Sequence, residues 1–190
     1  LRNMQTSNKE LIDLVQIVLE TYKVRDGNIR LYKENILLKG FIKEIIEEMQ
    51  PIAQKTNNTL EFIQQRDIRV YADRIQLKRV IKNLIQNAIS YGEPNFPIEV
   101  SIGEIPQYIV IKVKDYGAGI SKTDIDKIFN KYYSAAKKFR KIGTGLGLYL
   151  ALQIIKSHNG ELSVESEEGN FTEFTIKLPA VMNINLHYGE

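Results

Sequence analysis

At 190 residues, with 43% hydrophobic and 26% charged residues, the chain has the makeup of one globular domain with room for a short extra element, not of two full domains. No run of 18 apolar residues is present to span a membrane, and residues 1–20, punctuated by Arg2, Lys9, Glu10 and Asp13, do not read as a signal peptide. The absence of cysteine excludes disulfides and thiolate metal sites, and a net charge of +3 is too small to argue for a nucleic-acid partner. The expected compartment is the cytoplasm, which leaves room for a membrane anchor elsewhere in a parent protein.

Leu11, Leu14, Val15, Val18, Leu19 and Tyr22 recur at helical spacing, so residues 1–22 read as a helix with one apolar seam. Such a helix cannot bury its own stripe and calls for a partner helix. After Gly27, NIRLYKENI reads as a strand. Leu38, Phe41, Ile42, Ile45, Ile46 and Met49 then mark an amphipathic helix that should end near Pro51. Strands are expected at TLEFIQ and IRVYA. Asp73 is placed to cap a following helix, whose apolar face carries Ile75, Leu77, Val80, Ile81, Leu84, Ile85 and Ala88 and which should end near Tyr91. Alternation of Ile98, Val100 and Ile102, then of Ile109, Ile111 and Val113, predicts a hairpin around IPQY. A short helix is expected over 121–129 and another over 148–157, closed by Asn159 and Gly160. His158, at that helix end, reads as a capping or surface residue. A second hairpin follows in GELSVESEEGNFTEFTIKLP. Helices and antiparallel strands segregate, which predicts an α+β fold: a two-layer sandwich with helices on one face of a mixed, mostly antiparallel sheet, preceded by one helix.

Three stretches invite chemistry. In GTGLGL, Gly143, Gly145 and Gly147 stand at the entry of a helix, where free N–H groups and the positive end of the dipole can receive an anion; a tight, close-packed turn is the other reading. The spacing is neither that of a P-loop nor G-x-G-x-x-G. In KDYGAGI, Asp115 ends a strand ahead of Gly117 and Gly119; a carboxylate there can accept from an amine or simply start a turn. In NLIQNAISYGEP, Asn83 and Asn87 share one helical face. Their amides suit either a hard cation such as Mg²⁺ or a buried structural role. Lys131, Lys137, Lys138, Arg140 and Lys141 fall within eleven acid-free residues just before the glycines.

In this order Asn83–Asn87, Asp115–Gly119, Phe129 and Gly143–Gly147 resemble the N, G1, F and G2 boxes of the sensor histidine-kinase catalytic domain, in the gyrase, Hsp90, histidine kinase and MutL superfamily. The likeness runs from about residue 28 to 179. It implies a Bergerat-type ATP-binding sandwich over 28–180 and a tail over 181–190. Residues 1–27 would be the end of the second dimerisation and histidine-phosphotransfer helix and its junction. It also implies ATP and Mg²⁺ as cofactors, with Asn83 and Asn87 catalytic and Asn87 the metal ligand. Asp115 would read the adenine amine, Tyr91 would lie against the ring, and Thr172 would support the adenine contact. Gly117, Gly119, Ile120, Tyr132, Gly145, Leu146, Gly147 and Leu148 would line the nucleotide, and Lys137, Lys138, Arg140, Gly143 and Thr144 would belong to a cationic lid over the phosphates.

The resemblance further implies a histidine-bearing dimerisation domain of the same protein, a response-regulator receiver domain and homodimerisation of the parent as partners. Neither His158 nor His187 is placed to accept phosphate, so the acceptor lies outside this sequence. Gyrase-like and Hsp90-like members carry a Glu where this chain has Asn83, which cannot act as a base, so phosphoryl transfer is favoured over hydrolysis. Ser90 departs from the Lys or Arg common at its position; Lys82, Lys137, Lys138 or Arg140 are the candidates to compensate. A non-catalytic nucleotide-sensing or dimerisation module, and an anti-sigma-factor-like serine kinase, are the alternatives.

Overall fold

The computed structural model describes residues 29–63, 66–133 and 145–180. The expected opening helix, the tail and the lid residues Lys137, Lys138, Arg140, Lys141, Gly143 and Thr144 lie outside those residues. Strands β1 (Lys33–Leu37) and β3 (Arg69–Asp73) form a small antiparallel sheet. The main sheet has the order β2 (Thr59–Ile63), β4 (Pro97–Ile105), β5 (Tyr108–Asp115), β7 (Phe171–Pro179) and β6 (Glu161–Glu167). Only β2 and β4 run parallel; the other neighbours are antiparallel. Both expected hairpins form, with Gln107 in a left-handed conformation at the first turn and Gly169 at the second.

Alternation along each strand gives the sheet one apolar face. Ile98 and Val100 of β4, Ile111 and Val113 of β5, and Phe174 and Ile176 of β7 are all buried. Helices α1 (Leu38–Gln54), α2 (Arg74–Tyr91) and α3 (Gly147–Ser157) cover this face, with α1 against β2, α2 against β5 and α3 against β6. Helix α2 touches both of the others, so its stripe from Leu77 to Ala88 lies at the centre of the core. Each fully buried aliphatic side chain contributes about 1.5–3 kcal/mol to this arrangement.

Four local expectations are revised. The first strand is shorter than NIRLYKENI, starting at Lys33. Helix α1 continues through Pro51 to Gln54, because the buried faces of Met49 and Ala53 hold the last turn on the core even though proline gives no N–H to the helix. Ile75 is 77% exposed, since it lies across the helix from the buried Leu77, two residues on. Residues 121–130 form consecutive turns, closed by bonds such as Lys127 N–H to Asp124 O and Asn130 N–H to Lys127 O, instead of a regular helix. Outside the core, Glu44 and Glu48, one turn apart on α1, pair with Arg74, Lys78 and Lys82 on α2. Such exposed pairs set alignment more than stability.

Asp73 and His158 tie the ends of these elements together. Asp73 caps α2 by accepting from Gln76 N–H at 3.0 Å, and its other oxygen accepts from Tyr32 N–H at 2.8 Å. His158 ends α3 and is buried, not exposed: Nε2 accepts the Asp73 N–H at 2.9 Å. Its proton therefore sits on Nδ1 and is donated to Ile154 O at 2.8 Å, which fixes a neutral ring. Asn159 takes the left-handed conformation, and Gly160 N–H closes back on Ile155 O.

Burial lowers the His158 pKa. The folded protein therefore binds fewer protons than the unfolded chain once pH falls below the ordinary imidazole range, and stability that is complete above that range is lost as acid is added. Replacing His158→Gln should cost about 1–3 kcal/mol at pH 7.5. In denaturant titrations the gap between wild type and variant should narrow at pH 5.5, and a gap that stays constant would contradict this protonation state.

Candidate nucleotide-binding site

At one end of the main sheet the inner face changes from apolar to polar within a single register step. Val113, Phe174 and Val164 stand across β5, β7 and β6; the next inner row is Asp115, Thr172 and Ser166. Asp115 is 3% exposed and its Oδ1 has no hydrogen-bond partner. Loss of hydration pushes its pKa up to about 7. Thr172, also buried, has its Oγ1 3.1 Å from Ser166 Oγ. An acceptor buried without a donor is costly, so a donor brought to this row by a ligand or by water would stabilise it.

The chain after Asp115 is wedged between the end of α2 and the β6–β7 turn. Gly92 bridges to Gly117, Glu93 N–H reaches Tyr116 O at 2.6 Å, and Ala118 N–H reaches Tyr91 O at 3.2 Å. A Cβ on Gly117 would lie 2.2 Å from Tyr91 O, and one on Gly119 would lie 2.1 Å from Glu167 O at a backbone φ of +61°. These two glycines therefore allow backbone to pack on backbone, which aligns Asp115 with the last turn of α2. Asn58, buried on the other side, donates to Glu93 O and Phe96 O and fixes the chain leaving α2. Tyr91 is half-buried at this junction, and burial raises its phenol pKa. Ile120 packs against the core, and its N–H donates to Ser166 Oγ at 2.9 Å.

The second glycine element abuts the middle of α2. A Cβ on Gly147, the first residue of α3, would fall 2.4 Å from Asn83 Oδ1, so the Asn83 amide fills the space that glycine leaves. Asn83 Nδ2 is buried without a partner. Asn87 lies one turn further along the same face, half-buried. Gly145 and Tyr132 are both left-handed, and Tyr132 N–H donates to Gly145 O at 2.9 Å; the Tyr132 ring is 65% exposed. Leu146 is buried and Leu148 packs against the core, so both serve the fold with their side chains. Phe129 meets Phe174 edge-on at 6.4 Å, beneath this region.

The structure thus gathers Asp115, Thr172, Gly117, Gly119, Ile120 and Tyr91 at one end of α2. Asn83, Gly145, Gly147 and Tyr132 lie toward its middle. Lys82, a candidate to compensate for Ser90, is instead held by Glu48 on the α1 side. Sequence reasoning missed Ser166; the inward alternation of Leu162, Val164 and Ser166 was the signal that could have found it. Among the described residues no group of three or more His, Asp or Glu could hold a metal. A cation here would lean on a single amide oxygen and on oxygens brought by a ligand, a donor set suited to Mg²⁺.

The raised Asp115 pKa means that the folded chain holds this proton when the unfolded one has released it. Stability should therefore fall as pH rises from the ordinary carboxylate range through about 7. Asp115→Asn should raise the melting temperature of the nucleotide-free protein at pH 8 and remove that slope between pH 5 and 8. A variant that melts lower at pH 8 would show the carboxylate to be paired.

The chain is similar to known proteins in sequence and in fold. Residues 72–182 match the family described as histidine kinase-, DNA gyrase B- and HSP90-like ATPase. The sensor histidine kinase WalK of Bacillus subtilis is 32% identical over 181 residues, covering 92% of this chain but 29% of that protein, so the chain spans about three-tenths of this relative. The nucleotide-free catalytic domain of histidine kinase ThkA superposes with a TM-score of 0.70 at 28% identity, covering 79% of this chain and 97% of that domain. Full-length ShkA, solved with AMPPNP, shares the fold at a TM-score of 0.82 and 22% identity, over 90% of this chain and 36% of that one. Among the described residues no helix is long and apolar enough to cross a membrane. The chain belongs to the histidine kinase-, DNA gyrase B- and HSP90-like ATPase family and carries the ATP-binding catalytic domain of a sensor histidine kinase.

Proposed function

We propose that this domain binds Mg²⁺–ATP between α2 and the two glycine elements and transfers the γ-phosphoryl group to a histidine on a dimerisation domain. The observation that carries the reading is the buried, unpartnered Asp115 Oδ1 at the end of an otherwise apolar sheet face. A ligand with a directed donor would relieve that cost, and the exocyclic amine of adenine is such a donor. Tyr91, at the rim, would face the base, and Thr172 would flank Asp115. Main-chain groups of Gly117, Gly119, Ile120, Gly145, Leu146, Gly147 and Leu148 would border the nucleotide. ShkA, whose structure holds AMPPNP, supplies the analogy for a triphosphate in this fold.

Asn87 would give its amide oxygen to Mg²⁺, which when bound neutralises phosphate charge and orients the triphosphate. Lys137, Lys138 and Arg140, with Gly143 and Thr144, would supply the donors that Ser90 does not. In the transfer, an imidazole nitrogen of the partner histidine forms a bond to the γ-phosphorus as the bond to the β–γ bridging oxygen breaks, and ADP departs. Asn83, an amide with no basic lone pair, leaves water unactivated, so transfer prevails over hydrolysis. In this reading residues 1–27 end the second dimerisation helix and 28–180 form the catalytic domain. The parent works as a homodimer, and a response-regulator receiver domain then accepts the phosphoryl group from the histidine.

Calorimetry with Mg²⁺–ATP should give binding to the wild-type protein and none measurable for Asn87→Ala or Asp115→Ala. Unchanged affinity in both would refute the assignment. With labelled ATP and a histidine-bearing dimerisation domain added in trans, label should appear on histidine; tight binding with no transfer would make the domain a nucleotide sensor instead.

A further inference from the structure

The polar row at the end of the sheet contains a residue that the proposed site does not yet use. Ser166 of β6 stands in the inner row beside Thr172. A serine hydroxyl has one proton to give and two lone pairs to receive with. Its proton is committed: Ser166 Oγ donates to Phe171 O at 2.6 Å, and a carbonyl oxygen can only accept. One lone pair is taken by the Ile120 N–H at 2.9 Å. The remaining neighbour is Thr172 Oγ1 at 3.1 Å, and since Ser166 has no second proton, Thr172 must be the donor in that contact.

The consequence falls on Thr172. With its only proton turned toward Ser166, Thr172 presents lone pairs, not a donor, on its remaining side. Across the β5–β7 ladder its register partner is Asp115, whose Oδ1 is buried and unpartnered and, once ionised, accepts only. This end of the site therefore offers acceptors alone. A base edge carrying amino hydrogens is matched by it, and an edge carrying a carbonyl oxygen meets like-signed lone pairs, a mismatch that discriminates more strongly than a missing contact.

We propose that Ser166 is a positioning residue for purine discrimination: by holding the Thr172 proton it keeps the base-reading end of the site free of donors, so that a 6-amino purine is accepted and a 6-oxo purine is refused. The inference rests on the adenine reading of Asp115 given above. It differs in assigning the selectivity to a hydroxyl that acts through Thr172.

The test uses calorimetry at pH 8, above the Asp115 pKa of about 7, with the Mg²⁺ complexes of ATP and of inosine triphosphate, whose base replaces the 6-amino group with a 6-oxo group and gains a proton at N1. Wild type should prefer ATP. In Ser166→Ala the Thr172 hydroxyl is free to turn and donate, so the preference should shrink about tenfold, the worth of one hydrogen bond to a specific group. Ser166→Thr, which keeps the hydroxyl, should retain the wild-type ratio. In a Thr172→Val background, Ser166→Ala should change the ratio no further. A merely structural role for Ser166 would weaken both nucleotides by the same factor, and that unchanged ratio would overturn the proposal. So would an additional loss in the Thr172→Val background. A wild-type protein that binds both nucleotides equally would instead bring down the adenine reading itself, and this inference with it.

Discussion

Helix α2 is held at both of its ends, and the candidate site depends on that restraint. At the start, Asp73 caps the helix while its own N–H is received by His158, so the entry to α2 and the exit from α3 share one buried pair. At the finish, Gly92 and Gly117 bring α2 against the strand end that bears Asp115, with Asn58 bracing the departing chain. Between these anchors the asparagine face cannot slide or rotate relative to the sheet. Groups contributed by a helix, a strand end and a helix N-terminus thereby keep one mutual geometry, the preorganisation that phosphoryl transfer requires of a protein.

The same rigidity makes the polar row expensive. A well-packed sheet face could have ended in another aliphatic layer, yet it ends in a carboxylate, two hydroxyls and no internal donor for Asp115 Oδ1. The fold carries a local instability there, which grows as Asp115 ionises and which a donor from a ligand would relieve. That is the pattern expected where sites are selected for binding at some loss of stability.

Much of the architecture was legible in the sequence because it follows from periodicity: the alternating strands, the capped α2 and the two hairpins needed only patterns of period 2 or 3.6. The departures have local causes. Pro51 was a stop signal overridden by the buried Met49 and Ala53, and residues 121–130 carry helix-compatible spacing but fold as linked turns. His158 read as a capping or surface residue; it does cap α3, but it is buried because its partner, Asp73, lies 85 residues away in sequence. For the candidate site, the order of the motifs singled out Asn83, Asp115 and the glycines. Their tasks were less visible: Gly117, Gly119 and Gly147 turn out to accommodate other parts of the chain, a pairing that only the tertiary fold creates. Ser166 went unnoticed because its part arises from hydrogen-bond direction, which no spacing encodes.

The junction of Tyr132 and Gly145 has an implication for how such domains diversify. Two left-handed residues, bonded at 2.9 Å and so close that a side chain on Gly145 would strike the Tyr132 backbone, set the distance between the two points where the intervening segment departs and returns. Because that span is fixed by the frame itself, lengthening the chain between the two points costs little in closure entropy, about 0.6 kcal/mol for each doubling.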